Sequence, residues 1–179
     1  MIGGYAGGKP ESEKLMRISR HQWAMQMAEL TAKRSTCCRR SVGCVMLNRR
    51  GHVIATGYNG VAAGLPHCNE PSGESFEHGC TGEYAVPVYP NSCEGATSPS
   101  GTNLDACQAI HAEQNALLQC RDVYQIHIAY VTVSPCITCT KLLLNTSCEV
   151  IAFKSKYPHK DAQKLWESSG RKWVEVGLD

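Results

Sequence analysis

The stretch IHAEQNALLQC, residues 110–120, sets a condition that any fold of this chain must meet. Ala, Glu, Gln and Leu form helices readily, yet the run opens with His111 and places a carboxylate, Glu113, two positions later. Residues two apart on a regular helix point to nearly opposite sides. The pair can therefore serve one site only at a helix end that itself points into the site. About 22 residues on, PCITC supplies Cys136 and Cys139. Two thiolates one helical turn apart are a common zinc pair, each about 2.3 Å from the ion, and a helix N-terminus favours the thiolate. Residues 126–134, just before them, are apolar enough for a buried central strand. Such a strand would deliver the second helix start to the C-terminal edge of a sheet, where α/β proteins place their sites.

His111, Cys136 and Cys139 make three ligands, and three with an open fourth position is the pattern of catalytic zinc. Glu113, not itself a ligand, can then take a proton from water at the metal and pass it on. H-x-E followed by P-C-x-x-C is the known signature of zinc-dependent nucleobase deaminases. Each half alone is weak: a lone Cys-x-x-Cys can be redox-active or structural, and an isolated histidine is usually packing. Together and in order they are specific.

The remaining chain reads as one layered α/β domain. Residues 12–34 have Leu15, Ile18, Trp23, Met27 and Leu30 at roughly helical spacing, which predicts a first helix with those side chains in the core. Residues 42–48 and 52–59 predict a hairpin around Arg49-Arg50-Gly51. After the strand at 126–134, Pro135 is expected in the first turn of a helix. A strand at 149–155, a short helix over 159–170 and a strand at 172–177 complete the pattern. Residues 1–11 read as a flexible lead-in, 12–179 as the domain, and about 60–106 as a long insert rich in Gly, Pro, Ser and Glu. A loop of that length usually has a function or an internal staple. The net charge of +2 is too small for a general nucleic-acid binder. No apolar run approaches a membrane span and no signal pattern opens the chain, so a cytoplasmic protein is expected. The eleven cysteines, in 179 residues without that signal, point to zinc before disulfides.

STCCRRSVGCVMLN, ATGYNGVAAGLPHC, HAEQNALLQC, VTVSPCITCTKLLL and YPHKDAQKLWESSG together resemble the bacterial and phage deoxycytidylate (dCMP) deaminases, from about Ser12 onward. The resemblance implies the cytidine-deaminase fold, a three-layer α/β/α sandwich with a central mixed five-stranded sheet. It implies conversion of dCMP to dUMP, which feeds thymidylate synthesis. Water activated by Zn2+ attacks C4 while Glu113 protonates N3 and then carries a proton to the departing amine. Asn59 in GYNG would meet the sugar, Ser134 the base, and Tyr157 would lie near the substrate. A strand-end serine and a half-buried tyrosine are also ordinary structural residues.

Lys33, Arg34, Arg39 and Arg40 concentrate positive charge, and guanidinium groups suit phosphate; a solvated basic face is the plainer alternative. Arg34 is assigned to the substrate phosphate. Many relatives of this kind are homohexamers activated by dCTP and inhibited by dTTP with Mg2+, which assigns Arg39, Arg40, Tyr58 and Gly60 to an effector. Some carry a second, structural zinc, for which Cys37, Cys68, Cys80 and Cys107 match, with Cys93, His67 and His78 as substitutes. Buried free thiols are the plainer reading. Cys38, Cys44, Cys120 and Cys148 are expected in the core. Two rivals stand beside this reading: a deaminase acting on polynucleotide bases, and a zinc-folded nucleic-acid-binding module.

Overall fold

The computed structural model describes residues 17–69, 93–99, 102–103, 105–158 and 161–177. The lead-in at 1–11, and His78 and Cys80 in the insert, lie outside the described residues. Helix α1, Arg20–Ala32, starts from a capping box in which Ser19 Oγ accepts from the Gln22 N–H and Gln22 Oε1 accepts from the Ser19 N–H. Strands β1 (Gly43–Leu47) and β2 (Val53–Tyr58) form the expected antiparallel hairpin. Helix α2 (Ala112–Gln119) leads to β3 (Ile128–Val133), then α3 (Ile137–Leu144), β4 (Val150–Ser155), α4 (Asp161–Ser168) and β5 (Lys172–Glu175).

The five strands make one mixed sheet in the order β2-β1-β3-β4-β5. β1 runs antiparallel to both neighbours, while β3, β4 and β5 are parallel. Alternation along the strands divides the core in two. Met46, Val131, Ile151 and Phe153 pack with Ala116 of α2, Leu143 of α3 and Trp166 of α4. Val45, Leu47, Tyr130 and Ala152 pack with Ala24, Met25 and Ala28 of α1. The expected α/β/α layering is thus present, with helices on both faces. Among the described residues, no helix is long and apolar enough to cross a membrane.

Three local expectations need correction. Ile18, Trp23 and Leu30 are 45%, 37% and 67% exposed, and α1 instead buries Ala24, Met25, Ala28 and Ala32; Leu15 lies outside the described residues. The cause is Gly43: a Cβ there would stand 2.0 Å from the Ala28 carbonyl oxygen and 2.6 Å from the Ala32 nitrogen. The helix backbone meets the strand so closely that small residues must face it. Pro135 precedes α3 instead of occupying its first turn, because Cys136 is the extended N-cap. Cys44 and Cys148 are buried, but Cys38 is exposed on a bend and Cys120 is half-buried at the end of α2.

Candidate metal centre and substrate pocket

The site forms where β2 and β3 end and β1 begins. Val42 and Asn59 flank the hairpin's open end, with the Asn59 N–H bonded to the Val42 carbonyl at 3.2 Å. Gly60 and Ile110 exchange backbone hydrogen bonds of 3.1 and 2.8 Å, which ties the start of α2 to the end of β2. Gly57 allows the approach. Its Cβ would lie 2.2 Å from the Ala112 carbonyl oxygen and 2.4 Å from the Ala116 nitrogen.

His111 is the N-cap of α2, with extended backbone (φ −70°, ψ 155°), and its N–H donates to Gln114 Oε1 at 2.9 Å. Glu113 lies inside the first turn. One residue is therefore on the helix and the other just off it, so a spacing of two can still converge. Cys136 repeats the arrangement as N-cap of α3, with Cys139 one turn in; the Thr140 N–H and hydroxyl both donate to the Cys136 carbonyl, at 2.9 and 3.0 Å. His111 Nδ1 lies 3.4 Å from both sulfurs. Among the described residues, these three alone bring candidate ligand atoms within 4.8 Å of one another. One imidazole nitrogen and two sulfurs suit zinc, and a set of three leaves a coordination position for substrate or water.

The electrostatics are those of a desolvated centre. Burial raises the Glu113 carboxyl to about 7. Hydrogen bonding from Cys139 and from His111 lowers Cys136 to about 4, while Cys139, donating to Cys136 and buried, is raised. The His111 pKa is raised by its bond to Cys136. The Cys139 thiol also reaches the Glu113 carboxyl, so the carboxyl stands beside the ligands without being counted among them.

A pocket with about 600 Å³ of empty space opens onto this centre. Asn59, Ser134 and Tyr157 line it, as do Arg39 and Arg40. Arg34 is not among the lining residues and is exposed, as is Lys33. Asn59 is strongly braced: Oδ1 accepts from Ser35 Oγ and the Val42 N–H, both at 2.8 Å, and Nδ2 donates to the Arg40 carbonyl at 2.7 Å. Ser134 Oγ accepts from the Tyr157 N–H at 2.8 Å, which hangs the loop after β4 on the end of β3. Tyr58 does not line the pocket; its carbonyl accepts from Asn115 Nδ2 at 2.8 Å. Gly60 lies against Thr36, whose Oγ1 would be 2.5 Å from a Cβ.

Of the proposed second set, Cys37 and Cys107 line the same pocket. The Cys93 side chain hydrogen-bonds with Cys68 and with Cys107, and Cys37 is close enough to raise the pKa of both Cys68 and Cys107. The four thiols thus neighbour one another, though less tightly than the His111 set. Sequence reasoning did not place Cys37 or Cys107 at the pocket; Cys107 had only its position shortly before the HAE motif as a signal, and Cys37 had none.

Residues 18–154 match the family model described as the cytidine and deoxycytidylate deaminase zinc-binding region. The chain is 37% identical over 143 residues to a deoxycytidylate deaminase of Schizosaccharomyces pombe, covering 79% of this chain and 38% of the relative. It therefore spans less than half the length of that yeast protein. A deoxycytidylate deaminase of Mycobacterium phage D29 is 34% identical over 140 residues, covering 76% of this chain and 97% of the phage protein. In fold, the chain resembles the crystal structure of a dCMP deaminase from cyanophage S-TIM5 in complex with dCMP and dUMP. The TM-score is 0.63 at 22% identity, covering 90% and 99% of the two chains.

Proposed function

Because the chain belongs to the cytidine and deoxycytidylate deaminase family, we propose that it hydrolyses dCMP to dUMP and ammonia. The observation that carries this reading is the buried Glu113 carboxyl beside the His111–Cys136–Cys139 set, at the base of a pocket that Arg39 and Arg40 also line. Zinc held by those three residues would supply the Lewis acidity that prepares water for attack on C4 of cytosine. Glu113 accepts the proton of that water and delivers it to N3, then takes the proton of the new C4 hydroxyl and delivers it to the amino group as the C4–N4 bond breaks. Asn59 Nδ2 keeps an N–H beyond its bond to Arg40, available to the sugar. Ser134 Oγ accepts from Tyr157 and keeps its own proton to donate to the base.

Ammonia release from dCMP by the zinc-loaded chain is the test. We expect turnover, and a loss of about 10²–10⁴-fold in Glu113→Gln with zinc content unchanged. Full activity of that variant removes Glu113 from the chemistry. Release from cytosine or adenine in polynucleotides, with none from dCMP, moves the substrate to the polymeric class.

The same proposal extends to a second zinc held by Cys37, Cys68 and Cys107 with Cys93 or Cys80, supported by the mutual proximity of the described thiols. Two zinc ions per chain are expected; one per chain, with Cys68→Ser folding normally, removes it. Regulation by dCTP and by dTTP with Mg2+ is supported by a second hollow lined by Lys33, Arg40, Lys154 and Glu29. Assembly as a homo-oligomer is supported by the outward-facing Trp23 and Leu30 of α1.

A further inference from the structure

Asn59 lines the pocket, yet it is only 8% exposed and nearly every polar atom it has is engaged by the protein. Its N–H donates to the Val42 carbonyl and its carbonyl accepts from the Thr36 N–H, both at 3.2 Å. Oδ1 accepts from the Val42 N–H at 2.8 Å, and Nδ2 donates to the Arg40 carbonyl at 2.7 Å. These two backbone partners decide which end of the amide is which. A flipped amide would set N–H against N–H and oxygen against oxygen.

Ser35 adds a different restraint. It stands behind Asn59, buried and outside the pocket lining. Its hydroxyl donates to two atoms of Asn59, Oδ1 at 2.8 Å and the backbone carbonyl at 3.0 Å. One O–H shared between them straps the side chain to its own main chain, so rotation of that side chain breaks the strap. The serine is held in turn. Its Oγ accepts from the Cys37 N–H at 3.2 Å, its N–H donates to the Ala32 carbonyl at 3.0 Å, and its carbonyl accepts from Asn69 Nδ2 at 3.2 Å. Ser35 therefore joins the end of α1, the first part of the insert and the end of β2.

A side-chain amide has two acceptor lone pairs and two N–H donors. In Asn59, Val42 and Ser35 take both lone pairs of Oδ1, and Arg40 takes one N–H. What remains for the pocket is one N–H, a donor without an acceptor beside it. The deoxyribose of dCMP carries one hydroxyl, on C3′, whose oxygen accepts such a bond. We infer that Ser35 is a positioning residue for the sugar: its hydroxyl holds the Asn59 amide so that the 3′-oxygen meets a fixed donor only. Without that hydroxyl, Oδ1 regains a lone pair, the side chain regains rotation, and the bond to the sugar weakens. The inference rests on the dCMP reading above.

The experiment compares dCMP with 2′,3′-dideoxycytidine 5′-monophosphate, which lacks only the 3′-hydroxyl, on zinc-loaded full-length protein. Wild type is expected to favour dCMP through KM. Ser35→Ala should raise KM for dCMP about 3- to 10-fold, the worth of one uncharged hydrogen bond, with kcat little changed and KM for the dideoxy substrate unmoved. Ser35→Thr, which keeps the hydroxyl, restores KM for dCMP. In an Asn59→Ala background Ser35→Ala should add nothing, because the two act as one unit. Calorimetric titration with dUMP and its dideoxy counterpart gives the same contrast where turnover is slow. Equal losses on both substrates, or additive effects of the two alanines, reduce Ser35 to a structural brace and overturn the inference. A wild type indifferent to the 3′-hydroxyl overturns it whether or not the variants fold. A folded, zinc-loaded wild type that turns over neither substrate strikes the dCMP reading itself.

Discussion

The two faces of the sheet are built on opposite plans. On the face of α2, α3 and α4, large side chains fill the space: Met46, Ile126, Leu143, Ile151, Phe153 and Trp166 are at most 1% exposed. On the face of α1 the helix contributes alanines and Met25, and its aromatic residue, Trp23, points away. Yet each face holds one point where a helix backbone rests on a strand glycine: Gly43 beneath α1 and Gly57 beneath α2. The paired register places Gly57 opposite Cys44, next to Gly43 along β1. The same device thus fixes two helices, but only one of them carries ligands at its start. Packing that is equivalent for stability is not equivalent for function.

Alanine at each glycine tests that distinction. At Gly57 the new Cβ meets Ala112 and Ala116 backbone atoms at 2.2 and 2.4 Å, and at Gly43 it meets those of Ala28 and Ala32 at 2.0 and 2.6 Å. Backbone cannot rotate away, so both variants should lose about 1–3 kcal/mol or more of stability by overpacking. Gly57→Ala must shift α2, and with it His111 and Glu113, where a displacement near 1 Å can cost about 10²-fold in rate. Gly43→Ala shifts a helix that contributes nothing to the metal centre. Turnover at a temperature where both variants are folded, with urea midpoints in parallel, should separate them by at least tenfold. Equal activities would mean that α2 absorbs the displacement without moving its first turn.

The parts of the molecule legible in the sequence were those fixed by local chemistry. The hairpin, the caps that end in His111 and Cys136, and the strand that delivers PCITC each announce themselves within about ten residues. The buried face of α1 did not. Periodicity marks Trp23, Met27 and Leu30, whereas the face actually buried was chosen by Gly43, a residue of the neighbouring strand whose lack of a side chain leaves no apolar signal. Arg39 stood out in the sequence by its charge, but nothing near it announced that its guanidinium is tied to the Pro99 and Thr102 carbonyls, 60 and 63 residues away. Asn59 was singled out by its motif, and its bonds to Ser35, Arg40 and Val42 show that much of GYNG is devoted to closing the hairpin's open end.

Two of the three tryptophans sharpen the contrast at smaller amplitude. Trp166 is fully buried; its Nε1 donates to the Lys172 carbonyl at 2.9 Å, and the Arg171 guanidinium lies 5.1 Å from its ring centre. Arg171 in turn donates to the Leu143 and Leu144 carbonyls at 3.2 and 3.0 Å, so the ring supports the residue that caps α3. Trp166→Ala should lose about 3–5 kcal/mol and, by loosening α3 from its C-terminal end, lower zinc retention. Trp23→Ala removes a ring that is 37% exposed on the other face and should change stability by no more than about 0.5 kcal/mol. Urea midpoints at two protein concentrations provide the check. A Trp23 cost that is large at high concentration and disappears on dilution would mean that a second copy covers α1 in solution, and that this face, sparse in the monomer, completes its core only on assembly.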